Sequence, residues 1–211
     1  MNFLAHLHLA DHSDTHALGN LLGDFIKGRD MSHFPKHIAV GILLHRKIDH
    51  FTDTHSVNAR IRTLFPTEYR RYSGICLDLF WDYFLSRHWQ RFHPEDRQDW
   101  IARQYVILQR QISDAPDYSS RMEQVLPRMI RYDWLSAYAD SENICQALDR
   151  IGQRLKKPIP LGDTAALLHQ HDNTLEQAFL EMYPDVMDFA EKAAQQLCDY
   201  LNDRASQNES L

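Results

Sequence analysis

GILLHRKIDHFTDTH, residues 41–55, carries three histidines and two aspartates inside an apolar run. Its leucines and isoleucines recur at the three- and four-residue intervals of a helix face. With His45 at zero and about 100° per residue, Asp49 falls at about 40°, between Ile38 at about 20° and Ile42 at about 60°. Arg46 and Lys47 point elsewhere. An ionisable pair therefore projects from the apolar face, where a carboxylate costs several kcal/mol to bury unless a cation compensates it.

Outward from this stretch every strong signal is helical and none reads as a strand. Segment 14–28 has leucines at helical spacing, Ser13 or Asp14 as a cap and Gly28 as a stop. Pro35 suits the first turn of a helix running to about Asp53. Further helices are expected over 56–65, 68–89, 94–115, 118–131 and 141–156, with Pro66 and Pro116 marking ends. KKPIPLGD, residues 156–163, reads as a loop. A last pair, 163–182 and 185–204, should be separated or kinked at Pro184. The expectation is an all-α helical bundle, one domain over 1–204, with a disordered tail at 205–211.

Composition narrows the function classes. Of 211 residues 44% are hydrophobic, enough for a sizeable core. Residues 1–110 carry a net +2 and 11 of the 13 histidines, whereas the remainder carries −8. Chemistry is expected in the N-terminal half, and an acidic whole argues against nucleic acid. Three scattered cysteines, Cys76, Cys145 and Cys198, read as reduced thiols. The start, MNFLAHLHLADH, lacks the marks of a signal peptide, and no run is long enough to span a bilayer. A soluble cytoplasmic protein is expected.

Two more acid-bearing pairs have the same four-residue spacing: Asn20 with Asp24, and Asp78 with Asp82. Residues i and i+4 of a helix share a face and can converge on one point. A metal ion would make such burial tolerable, and mixed His/Asp donors suit manganese, iron or zinc. His6, in a short apolar segment, could complete the set. Other readings stay open: Asp78 and Asp82 could cap neighbouring helices or pair with Arg70 or Arg87. His12–His16 and His33–His37 have ligand spacing but sit at polar helix starts. His171–Asp172 reads as a polar helix turn from which His171 could reach a site.

MNFLAHLHLA at the start, GNLLGDFIKG at 19–28, GILLHRKIDHFTD at 41–53 and LDLFWDYFLSRHW at 77–89 together resemble the acyl carrier protein phosphodiesterase family. The match in order and spacing covers about the first 90 residues. The resemblance implies an all-helical fold related to the HD phosphohydrolases and a divalent metal, typically Mn2+. It also implies hydrolysis of the 4′-phosphopantetheine arm from holo-acyl carrier protein. His6, Asp24, His45, Asp49 and Asp82 become the implied metal or catalytic positions, with Asp78, Asn20 and His171 behind them. One departure is Tyr83, where the family pattern often has histidine.

The chemistry expected is metal-assisted phosphodiester hydrolysis, with Arg46 as a phosphate clamp. The carrier is acidic, so Arg60, Arg62, Arg70, Arg71, Arg87 and Arg91 are the expected docking residues. The rivals are a metal phosphohydrolase of a small phosphoester or nucleotide, and a helical binding protein without catalysis. A ferritin-like di-iron bundle is disfavoured, because Glu-x-x-His is absent.

Overall fold

The computed structural model describes residues 1–28, 30–113 and 119–208, with side chains as far as 203. In chain order its α-helices are α1 (Phe3–His12), α2 (Ala17–Leu22), α3 (Lys36–Thr54), α4 (Ser56–Ile61), α5 (Ser73–Arg87) and α6 (Trp89–Phe92). They continue with α7 (Arg97–Ser113), α8 (Ser120–Arg131), α9 (Trp134–Ala137), α10 (Ser141–Gln153), α11 (Ala166–Gln170) and α12 (Asp172–Asn208). Short 3₁₀ turns link several of them, and no strand occurs among the described residues. The architecture is an all-α bundle, as expected. No described helix is long and apolar enough to cross a membrane.

The centre of the bundle is α1, where every residue from Leu4 to Ala10 is buried. A helix enclosed on all sides cannot be amphipathic, so its sequence reads only as a short apolar segment. α2, α5 and α12 pack around it, and α3 lies across α2 and α12. The crossing of α2 and α3 is a backbone contact. A Cβ on Gly41 would lie 2.8 Å from the Asn20 nitrogen and 2.8 Å from the Gly19 carbonyl carbon. Gly41→Ala must push these helices apart, at an expected cost of about 1–3 kcal/mol. Thermal melting checks this; an unchanged midpoint would mean that the crossing yields freely.

Three expected boundaries shift. The helix expected over 14–28 is confined to α2, because the chain tightens after Leu22, whose carbonyl accepts from the N–H groups of both Phe25 and Ile26 at 2.9 Å. Gly28, at φ +90°, ends that turn in the left-handed region that favours glycine. Pro184 does not divide the C-terminal region into a pair of helices but lies inside α12. Proline in a helix interior costs about 3 kcal/mol. Phe179, Met182, Tyr183 and Val186 are fully buried on either side of it, and each contributes about 1.5–3 kcal/mol. Packing outweighs the missing hydrogen bond. With no breaker after residue 204, α12 runs past the expected end of the last helix to Asn208; of the expected tail, 209–211 lie outside the described residues.

Candidate metal centre

α1 and α3 bring His6 and His45 face to face, with ring centres 3.8 Å apart and planes 21° from parallel. Both rings are buried, and both aim Nε2 at Asp49. His6 lies 3.0 Å from one carboxylate oxygen and His45 3.0 Å from the other. Asp24, on the turn after α2, approaches His45 Nε2 at 3.3 Å. The carboxylates are the open side of the site: the Asp49 side chain is 37% exposed and that of Asp24 51%. Nδ1 of each ring is buried without a partner, so each ring has its polar contacts on the Asp49 side.

Charge is the unsolved problem of this cluster. Burial, the largest influence, disfavours protonation of both rings. At His6 it prevails, reinforced by His45, and takes the ring down to about 4 despite Asp49. At His45 the hydrogen bonds and charges of Asp24 and Asp49 outweigh burial and hold the ring up at about 9. Burial also opposes charge on Asp49, yet His6 and His45 keep it far below the ordinary carboxylate range. Two cationic groups, His45 and the Met1 amino group 3.7 Å from Asp49, thus serve Asp24 and Asp49, and the Met1 group is shared with Asp78. The donor chemistry fits a divalent cation, which would meet both carboxylates and leave both imidazoles neutral, the state ligation requires. Ligand atoms of His6, His45 and Asp49 all lie within 4.8 Å of one another.

Space for His45 comes from Gly23. A Cβ there would collide with the His45 imidazole. Its φ of −51° is open to any residue, so it is space and not backbone that requires glycine. Gly23→Ala is therefore expected to displace His45 and abolish activity while the bundle stays folded; activity near wild type would show that the ring has room to move.

Asp82 lies outside this cluster, in contacts that match the capping reading left open for it. Its carboxylate is fully buried at the start of α1, where it accepts from the N–H groups of Asn2 (3.2 Å), Leu4 (2.9 Å) and Ala5 (3.2 Å). The N-cap residue Asn2 makes no side-chain cap of its own, so Asp82 on α5 caps α1 from a distance. Burial raises it to about 7 against these donors. One turn earlier Asp78 meets the Met1 amino group at 2.6 Å, and burial raises it to about 6. The pair clasps the beginning of α1 and so sets where His6 lies.

The other candidates are also placed outside the cluster. Arg46 donates to the carbonyls of Ile26 and Gly28, both at 2.7 Å. Its guanidinium grips the segment after Asp24, which makes it a brace for that turn. Asn20 is buried and donates to Thr15 Oγ1 (3.0 Å) and the His16 carbonyl (3.1 Å). His171 stands at the junction of α11 and α12, where its neighbour Asp172 pairs with Arg87. Tyr83 packs edge-on against Phe84, with ring centres 5.1 Å apart. Of the expected docking arginines, Arg60 pairs with Glu181, Arg62 with Asp53, and Arg87 with Asp172 and Glu176. Arg70 donates to the Phe65 carbonyl, Arg71 to the Tyr72 hydroxyl, and Arg91 lies over Phe92.

The family model described as acyl carrier protein phosphodiesterase matches residues 1–186. The chain belongs to the acyl carrier protein phosphodiesterase family. Among relatives of that name, one from Yersinia pestis is 37% identical over 188 residues, covering 89% of this chain and 96% of the relative. One from Yersinia enterocolitica is 35% identical over 192 residues, covering 90% and 98%. One from Salmonella paratyphi A is 36% identical over 195 residues, covering 92% and 100%. No solved structure matches significantly, so the expected kinship with the HD phosphohydrolases rests on the sequence resemblance. The match spans His6, Asp24, His45 and Asp49.

Proposed function

We propose that this chain hydrolyses the phosphodiester joining 4′-phosphopantetheine to a serine of holo-acyl carrier protein, releasing the arm and the apo-protein. The observation that carries the reading is the convergence of His6, His45 and Asp49 in a member of the acyl carrier protein phosphodiesterase family. His6, His45 and Asp49 would hold a divalent metal with Asp24 at its edge, and manganese is the ion the resemblance implies. When bound, such an ion supplies a Lewis acid for the phosphoryl oxygens and acidifies water.

The chain's own groups do the rest. Asp24 is the most exposed member and makes the longest contact. Against burial, His45 holds its carboxyl below the ordinary range, which suits it to orient the attacking water and take its proton while the departing serine oxygen takes one from solvent. Arg46 keeps that carboxylate in place through the segment that follows it. Asp78 and Asp82 hold α1 so that His6 keeps its aim. His171 and Tyr83 have no role in this scheme.

Reaction in ¹⁸O-labelled water tests it. Attack at phosphorus breaks the bond between phosphorus and the serine oxygen, so label belongs in the released phosphopantetheine and not in the carrier. Label in the serine would refute attack at phosphorus, and no release from a carrier protein would turn the reading toward a smaller phosphoester. Docking on the arginines of 60–91 would require Arg60, Arg62 and Arg87 to exchange their own acids for those of the partner.

A further inference from the structure

A second group of arginines without ion pairs to described acids, besides Arg70, Arg71 and Arg91, lies on α7 and α8. Arg110 on α7 and Arg121, Arg128 and Arg131 on α8 are exposed. None forms an ion pair with a described acid, unlike Arg60, Arg62 and Arg87. At about 100° per residue, Arg121, Arg128 and Arg131 fall within about 80° of one another on one face of α8. Like charges in such a row repel slightly along a helix, a cost that an acidic partner would reverse.

Beside this row runs a largely apolar groove between α7 and α8, of about 400 Å³, lined by Gln109, Ile112, Glu123, Leu126, Pro127 and Ile130 with Arg131 at its edge. The row also reaches the candidate centre. The Arg121 guanidinium lies 5.5 Å from the centre of the Phe25 ring, and Phe25 follows Asp24. A largely apolar trough edged by guanidinium groups that pair with no described acid matches one kind of surface, an amphipathic helix with acids along its flank.

We infer that the groove between α7 and α8, with the arginine row of α8, is the docking surface for the protein portion of the substrate, an acidic amphipathic helix of the carrier. Its apolar side lies in the groove and its acids meet Arg121, Arg128 and Arg131. The inference rests on the functional reading above. Arg60, Arg62 and Arg87 of the segment 56–91 then serve the bundle's own ion pairs.

R128E/R131E, both at exposed positions, is the test, with apo-carrier binding measured beside holo-carrier turnover. The expected result is an unchanged melting temperature, kcat near wild type, and a kcat/KM about ten- to a hundredfold lower at low ionic strength with a flatter salt dependence. Apo-carrier, which has the helix but no arm, should bind the variant correspondingly more weakly. Unaltered KM, salt dependence and apo-carrier affinity would overturn the inference. Wild-type protein that binds apo-carrier through these arginines but does not hydrolyse holo-carrier would refute the function and keep the surface. Wild-type protein that does neither would refute both.

Discussion

Asp49→Ala is expected to lower kcat/KM for the phosphodiester by about a thousandfold or more, taking about 4 kcal/mol as what the metal and its ligand contribute to the transition state. Asp49 is the one residue that both buried rings face, at 3.0 Å each. Without it a cation loses its central anionic donor, and His6 and His45 lose their shared partner. Bound metal should fall with activity, while circular dichroism still reports a helical bundle. The fold should survive because the Asp49 side chain is partly exposed and its apolar neighbours on α3 stay packed. Activity and metal content within about tenfold of wild type would remove Asp49 from the site.

Asp82→Ala should act on the fold first. Three N–H groups at the start of α1 would lose their acceptor in a place closed to water. At about 1–3 kcal/mol for each buried group left unsatisfied, the loss is about 3–5 kcal/mol after partial relaxation. For a chain of this size that is a fall of about 10–15 °C in melting temperature. The comparison that decides is made in chelator. A cap fails equally with and without metal, so the fall should persist in metal-free protein. A variant that melts like wild type in chelator but no longer holds metal would return Asp82 to the role of ligand.

The two aspartates show how far sequence reading reaches. Spacing alone puts His45 with Asp49, and Asp78 with Asp82, on the apolar faces of their helices, and both placements hold in the structure. It does not say what a carboxylate on such a face meets. Asp49 faces two imidazoles and Asp82 faces three backbone N–H groups, and these partners come from α1, whose all-round burial leaves no amphipathic pattern to read. Arg46 shows the same limit: its charge suggested phosphate, but the carbonyls it meets belong to a turn whose shape depends on where α2 ends. Gly23 carried a visible signal, a glycine beside Asp24, without the neighbour that explains it. The run of α12 through Pro184 depended on burial along both flanks, which a local rule about proline omits.

The measurement that bears most directly on the central claim is the intact mass of purified holo-acyl carrier protein after incubation with this protein, once with Mn2+ and once with chelator. The expected result is loss of the phosphopantetheine mass with metal and none with chelator. An unchanged mass in both, from folded protein shown to hold the ion, would contradict it.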